Sequence, residues 1–329
     1  MHRQLLKHFS KEAQVVAVNA SSDAAMRAYL LKYDSLHGRF DGEVKVVGDD
    51  LVVNGKEVTV LRIPKPGDCP WNELKVDVVV ESSGHFRSRE NVEPHLRAGA
   101  QCCILTAPPK DDIPIIVPGV NDDTLKKAGP IVSAASCTTN CVAPILKILD
   151  EGLGVRRGLV CTTHAYTTSQ NLLDNKSDSS KIRIARAAAL SIVPSTTGAV
   201  KACVSLFPHL AGKIDGMALR VPVPTVSAAY LALQVKRKTT VREVNALFHR
   251  ASKTTLKGIL GFEEELLVSR DFTTDPRSSI VDADSTAVID DTLVQILAWY
   301  DNEWGYAMRV TELVVKVKEM IAHNSVRSL

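Results

Sequence analysis

No apolar run reaches the roughly 18–20 residues needed to cross a bilayer as a helix, so a membrane protein is not expected. The seven cysteines, at 69, 102, 103, 137, 141, 161 and 203, include no Cys-x-x-Cys pair, so no metal site is expected. An odd cysteine count without a signal peptide points to free thiols in a reducing, cytoplasmic setting. The net charge of +3 is too small to argue for a nucleic-acid surface. Internal repeats and low-complexity tracts are absent, and the basic opening Met1-His2-Arg3-Gln4-Leu5-Leu6-Lys7 is too weak for a targeting peptide. Glycine is missing until Gly38. What remains is a chain of 329 residues, 45% hydrophobic and 23% charged, ordinary for a soluble protein of about two domains.

The first part alternates short β-rich runs with helical patterns. Strands are expected at Gln14–Val18, Val76–Val80, Cys102–Leu105, Ile115–Val117 and Ile131–Ala134, which together read as an α/β layer with a largely parallel sheet. Asn54-Gly55 between apolar runs predicts a small antiparallel hairpin. After Leu153 the strands lengthen: Gly158–Thr163, Met217–Val221, Ala228–Val235, Leu266–Ser269 and Val294–Trp299, with a helical pattern at Val241–Lys253. This reads as an α+β domain with a mostly antiparallel sheet. Val310, Leu313, Val314, Val317 and Ile321 give the last segment an apolar helical face. The start is unusual. Gln4–Phe9 reads as a helix and Gln14–Val18 as the strand after it, with no strand and glycine-rich turn before them, the arrangement that opens a dinucleotide-binding domain.

The densest chemical signal is Ser136-Cys137-Thr138-Thr139-Asn140-Cys141. It sets a thiol on a polar turn between a strand pattern and a helical pattern. A helix N-terminus is expected to lower the Cys137 pKa and favour a nucleophilic thiolate. The bland alternative is a buried structural cysteine, the reading preferred for Cys141. His164 ends the strand pattern Cys161-Thr162-Thr163 and can pair with a thiolate as a base. Thr138, Thr167, Thr196-Thr197-Gly198 and Arg220 read either as anion-binding groups or as ordinary turn residues with a surface arginine. Asp301-Asn302-Glu303-Trp304-Gly305-Tyr306 is a capping turn, or a turn whose amide recognises a planar ring.

These motifs, with Leu31-Lys32-Tyr33-Asp34-Ser35-Leu36-His37-Gly38-Arg39-Phe40, Thr163–Thr167, Leu219-Arg220-Val221-Pro222, Leu256–Gly261 and Trp299–Tyr306, resemble phosphorylating glyceraldehyde-3-phosphate dehydrogenase along essentially the whole chain. The resemblance implies a Rossmann-type α/β dinucleotide-binding domain, here without its first strand, over residues 1–136 with the C-terminal helix 302–329 packing back on it. It implies an α+β catalytic domain over 137–301. It implies NADP or NAD as cofactor, a small phosphorylated aldehyde and inorganic phosphate as reactants, and a homotetramer in which a loop around 168–190 reaches a neighbouring cofactor site. By the same resemblance Cys137 attacks the aldehyde and His164 activates it. Thr167 and Arg220 hold the substrate phosphate, with Ser136, Thr138, Thr197 and Gly198 on the attacking-phosphate side. Asn19, Ser83, Gly84, Asn302 and Tyr306 lie on the cofactor side, with Asn302 on the nicotinamide carboxamide.

Four departures from the family pattern follow. The strand and Gly-x-Gly-x-x-Gly turn that open the family are absent; a start placed downstream of the natural one is the preferred explanation. For the chain as written, weak dinucleotide binding is expected, with a Kd above about 100 µM. Ala20 stands where NAD-using relatives carry an acidic residue, which resembles the NADP-preferring, anabolic branch. Ile184 falls where an arginine of the attacking-phosphate site is usual, after two apparent extra residues around Ser177–Ser180. Ala134 replaces an asparagine common just upstream of the nucleophile. Two other functions compete: a relative acting on erythrose 4-phosphate, and a non-catalytic interaction protein on the same fold.

Overall fold

Residues 1–177 and 179–327 are described in a computed structural model. Its contacts divide into two units: residues 1–116 and 123–134 with the chain from Ala307 onward, and residues 117–122 with 135–306.

In the first unit, helix α1 (His2–His8) is followed by β1 (Ala17–Asn19), a strand beginning later than the expected Gln14. Asp23 then caps α2 (Ala24–Lys32), its carboxylate accepting the Met26 N–H at 2.9 Å. The sheet here comprises β1, β2 (Val44–Val47), β3 (Asp50–Val53) and β4 (Lys56–Leu61), in the order β1-β4-β3-β2. The predicted hairpin joins β3 to β4. Asn54 and Gly55 both take positive φ, 49° and 77°, as the tight primed turn requires. Pairing of β1 with β4 is parallel, while the hairpin strands run antiparallel.

A second sheet is wholly parallel: β5 (Val78–Glu81), β6 (Cys102–Leu105) and β7 (Ile131–Ser133), with α3 (Arg89–Arg97) crossing from β5 to β6. Trp71, Val79, Val92, Cys103, Leu105 and Ile131 form its core. The expected strand at Ile115–Val117 is reduced to a single bridge between Ile115 and Ser133. Pro114 and Pro118 flank this run, and proline withholds the N–H that a continued ladder needs.

The second unit is built on one eight-stranded sheet. Helix α4 (Cys137–Leu153) precedes its strands β8 (Val155–Ala165), β9 (Val193–Thr196), β10 (Ile214–Val221), β11 (Ser227–Val235), β12 (Leu260–Glu263), β13 (Ser279–Asp282), β14 (Ala287–Ile289) and β15 (Leu293–Tyr300). The order is β9-β10-β8-β11-β15-β13-β12, with β14 pairing β15. Only β8·β10 and β12·β13 are parallel, so the sheet is mostly antiparallel as expected. Helix α5 (Gly198–Leu206) lies between β9 and β10, and α6 (Val241–Lys253) has the bounds its periodicity predicts. The apolar stripe of α4 (Val142, Ile145, Leu146, Leu149, Leu153) is wholly buried. Leu266–Ser269, expected as a strand, is irregular. Its Leu266 and Val268 side chains face solvent, and the Val268 N–H is taken by the Asp271 carboxylate at 2.9 Å. The long helix α7 (Trp304–Arg327) ends the described chain.

Gly158 lies in β8 where it runs beside β11, and a Cβ there would press on the Ala232 carbonyl oxygen and the Leu233 side chain. Gly158→Ala is expected to cost about 1–3 kcal/mol through this overpacking. Thermal unfolding is the measurement, and a wild-type Tm would show that the β8–β11 spacing is not fixed.

Candidate active site

Cys137 is the first residue of α4, and Ser136 is its N-cap. The Ser136 hydroxyl accepts the Thr139 N–H at 3.1 Å and lies 2.8 Å from Thr139 Oγ1. The residue before the cap, Ala135, is held at φ 59°, a strained conformation for a residue with a Cβ. Its carbonyl accepts the Tyr306 hydroxyl at 3.0 Å. The thiol is thus presented by a kinked, anchored turn.

His164 comes from the end of β8. Its Nε2 lies 3.5 Å from Cys137 Sγ, so the two residues paired by the sequence do meet. Nδ1 lies 2.7 Å from the Ala165 carbonyl oxygen, which also accepts from Arg220 Nη1 at 3.1 Å. In the tautomer that donates Nδ1–H to Ala165, the Nε2 lone pair faces the thiol, as a base requires. Arg220 Nη1 also lies 2.8 Å from Nδ1, which crowds a cation against the ring. Strand register explains this, because His164 and Arg220 are opposite partners in β8 and β10.

The electrostatics differ from the expectation of a lowered thiol pKa. Burial pushes the Cys137 thiol up, outweighing the Thr138 hydrogen bonds and the charge of Arg220. Burial, then Arg220, pushes His164 down to about 4, against the Ala165 hydrogen bond. Desolvation therefore outweighs the helix terminus and favours the neutral thiol–imidazole pair.

Behind the pair stands Tyr300, 1% exposed, its hydroxyl 2.9 Å from Thr138 Oγ1 and its ring edge-on to His164 with centroids 6.0 Å apart. Asn302 is buried beyond it, and its carboxamide oxygen accepts the Ser227 hydroxyl at 2.9 Å. Sequence reasoning missed Tyr300 and Ser227 as site residues. Tyr300 lies inside a quoted motif, but Ser227 opens an ordinary strand run and carries no sequence signal.

The remaining expected residues are placed as follows. Thr197 caps α5, its Oγ1 accepting the Ala199 N–H at 3.2 Å, and Gly198 is the first helical residue. Thr139 Oγ1 bonds the Ala199 carbonyl at 3.4 Å, which brings the N-terminal turns of α4 and α5 together. Such a pair of turns, with their outward N–H groups, suits an oxyanion. The Thr167 hydroxyl pairs with Ser169 at 3.0 Å. Ile184 is half-buried and Arg183 exposed, while Arg186 binds Asp174 at 2.9 Å. The insertion read around Ser177–Ser180 includes Asp178, which lies outside the described residues.

In the first unit, Ser83 and Gly84 form an exposed turn with Gly84 at φ 74° and open space where a Cβ would stand. Its base is secured by a buried relay. Trp71 Nε1–H donates to His95 Nδ1 at 3.0 Å, so His95 Nε2–H faces Glu81 at 3.3 Å, and Glu81 accepts the Ser83 N–H at 2.7 Å. Burial alone would raise the Glu81 pKa, but the His95 and Ser83 hydrogen bonds hold it below the usual range. Asn19 uses both amide atoms on the Ile63 backbone, at 2.8 and 2.9 Å. Tyr306 similarly commits its hydroxyl to Ala135. A nicotinamide group fits the residues present: the Asn302 oxygen is already occupied, which leaves its Nδ2 hydrogens to donate to a carboxamide.

The depressed His164 pKa makes stability depend on pH. Between about 6.5 and the folded value of about 4, the unfolded chain binds the proton that the folded chain refuses. The contribution is complete above that window and falls as pH drops through it, by on the order of 3 kcal/mol in all. His164→Gln is expected to flatten the stability-versus-pH curve between pH values of about 4 and 6.5. Urea midpoints across that range test this, and parallel curves for both proteins would refute it.

Comparison with known proteins identifies the family. Residues 136–302 match the family model described as glyceraldehyde 3-phosphate dehydrogenase, C-terminal domain, and residues 1–89 match its NAD binding domain. The chain is 47% identical to glyceraldehyde-3-phosphate dehydrogenase 2 of Bacillus subtilis, covering 95% of this chain and 92% of that protein. It is 49% identical to glyceraldehyde-3-phosphate dehydrogenase of Geobacillus stearothermophilus, over 93% of this chain and 91% of the relative. It is 46% identical to the chloroplastic A form of Chlamydomonas reinhardtii, over 94% and 83% respectively. The chain belongs to the glyceraldehyde-3-phosphate dehydrogenase family of phosphorylating, NAD(P)-dependent oxidoreductases.

Proposed function

We propose that the chain oxidises glyceraldehyde 3-phosphate to an acyl phosphate through a covalent Cys137 intermediate. The observation that carries this is the 3.5 Å approach of His164 Nε2 to Cys137 Sγ. His164 takes the thiol proton as Sγ bonds the aldehyde carbon, and the proton is delivered to the new oxyanion to give a thiohemiacetal. Bound at the site, a nicotinamide cofactor would supply the hydride acceptor; His164 takes the hydroxyl proton of the adduct as the hydride leaves its carbon, and a thioester on Cys137 remains. An oxygen of inorganic phosphate then attacks the thioester carbon, the C–S bond breaks, and the acyl phosphate leaves with Cys137 restored as thiolate. Arg220 and Thr167 hold the substrate phosphate, while Ser136, Thr138, Thr197 and Gly198 receive the attacking phosphate. The paired N-terminal turns of α4 and α5 support that second assignment. Arg220 has a further effect in this scheme. A phosphate drawing it away from Nδ1 removes a cation from the ring and eases formation of the imidazolium.

On this reading residues 1–136 with 302–329 form the dinucleotide-binding domain and residues 137–301 the catalytic one. Asn302 holds the nicotinamide carboxamide, with the Ser83–Gly84 turn, Asn19 and Tyr306 contributing on the cofactor side. A homotetramer is supported by an apolar row across the second-unit sheet. Met217, Cys161 and Tyr230 are register partners on β10, β8 and β11, and Met217 and Tyr230 are 43% and 40% exposed. Ala20, at the end of β1, supports NADP use in the direction of sugar synthesis. Its side chain sets no carboxylate against a 2′-phosphate.

Cys137→Ser is expected to lower aldehyde oxidation by at least about a thousandfold with the fold intact, because a serine hydroxyl stays protonated near neutral pH. Iodoacetamide is expected to label Cys137 ahead of the six other free cysteines, of which Cys69, Cys103, Cys141 and Cys203 are buried. First labelling of Cys102 or Cys161, with activity retained in the mutant, would remove Cys137 from this role.

For the cofactor, in a chain that carries the family's opening strand and glycine-rich turn, kcat/KM is expected to favour NADP over NAD, and Ala20→Asp to move that ratio at least about tenfold towards NAD. The new carboxylate both accepts from a ribose hydroxyl and repels a 2′-phosphate. A wild type that prefers NAD would sink this assignment.

A further inference from the structure

The Asn302 amide is held from outside its own turn. Ser227, 1% exposed, donates its hydroxyl proton to Asn302 Oδ1 at 2.9 Å. The same Oγ accepts the Ala165 N–H at 3.1 Å. A backbone N–H can only donate, and the Tyr300 hydroxyl, which also hydrogen-bonds Ser227, brings a proton of its own, so the serine proton is left for the amide oxygen. In this arrangement the Asn302 oxygen is occupied, and its Nδ2 hydrogens are what it offers a ligand. An amide without this bond could turn over and offer either end.

The neighbouring backbone shows that this grip is built. Val226 has φ 63° and is 1% exposed, a rare conformation for a β-branched residue. On its other side, Thr225 Oγ1 donates to Asp301 Oδ1 at 3.2 Å. Two hydroxyls that bracket one strained residue therefore hold two consecutive residues, Asp301 and Asn302. Strain of this kind persists where the surroundings over-determine the conformation. The arrangement also reaches the nucleophile. Ala165, whose N–H binds Ser227, follows His164, and its carbonyl oxygen lies 2.7 Å from the imidazole Nδ1.

We propose that Ser227 is a positioning residue that fixes the Asn302 amide as a hydrogen-bond donor to the carbonyl oxygen of a pyridinium carboxamide ligand and joins that donor to the end of the His164 strand. This rests on the reading of Asn302 as the carboxamide-binding residue. It gives the site a chemical selectivity: the ligand carbonyl is required at this contact, and the ligand NH2 group is not.

The test is direct binding of two ligands to the full chain by calorimetry or saturation-transfer NMR. The ligands are nicotinamide mononucleotide and its 3-acetylpyridine counterpart, which keeps the carbonyl and lacks the amide N–H. Wild-type protein is expected to bind both within about twofold, since the acetyl compound loses only a donor that Asn302 does not use. A loss of about tenfold or more for the acetyl compound would overturn the proposal, because the Asn302 oxygen would then be accepting from the ligand. Ser227→Ala is expected to weaken nicotinamide mononucleotide by about three- to tenfold, with Ser227→Thr restoring affinity through its hydroxyl. Asn302→Ala separates the two levels. If it weakens both ligands while Ser227→Ala binds them like wild type, Ser227 has no positioning role. If Asn302→Ala changes neither, the reading of Asn302 itself falls. Should Ser227→Ala not fold, the two-ligand comparison in wild type decides alone.

Discussion

The second unit depends on one contact, the 3.5 Å approach of a helix-terminal thiol to a strand-terminal imidazole. Cys137 and His164 belong to different elements, and burial acts on both, pushing the thiol up and the imidazole down to about 4. Proton transfer between them needs α4 and the end of β8 to stay in register. That register is held from several sides. The buried stripe of α4 locks the helix, the parallel β8–β10 ladder fixes His164 opposite Arg220, and the strained Ala135 sets the entry to the helix.

This placement settles a competition that general rules leave open. A helix N-terminus stabilises a thiolate by about 0.3–1 kcal/mol in exposed settings, whereas burial of an unpaired charge costs several kcal/mol. At Cys137 desolvation outweighs the helix terminus and pushes the thiol up. Arg220 acts on both members, favouring the thiolate while holding the imidazole neutral. In the structure it shares the Ala165 carbonyl with the imidazole and lies 2.8 Å from Nδ1. No anion could bind Arg220 without also altering the field at His164.

Much of this was legible in the sequence, for identifiable reasons. The Asn54-Gly55 turn and α6 are local features whose residues carry their own signals. So did Cys137, since a polar cap between two apolar patterns is a local signature. Short strands such as Val193–Thr196 and Ala287–Ile289 were not legible, because three or four residues cannot display a period. Ile115–Val117 misled because its composition favours a strand, while the prolines on either side break the ladder. Leu266–Ser269 misled because its apolar side chains face solvent. The direction of the Cys137 shift was illegible for another reason: the dipole is written into the helix, whereas the desolvation comes from residues distant in sequence.

Ser227 shows the limit most clearly. Nothing beside it in the chain marks it as different from the apolar run it begins. Its role comes from pairing opposite Tyr300 in the β11–β15 ladder, which sets its hydroxyl within reach of the residue two beyond. A one-residue slip of that ladder would turn the hydroxyl to the other face of the sheet. Asn302 would then lose the bond on its oxygen, and the Ala165 N–H would lose its acceptor. The orientation of the amide and the seating of the imidazole are thus consequences of the same strand register.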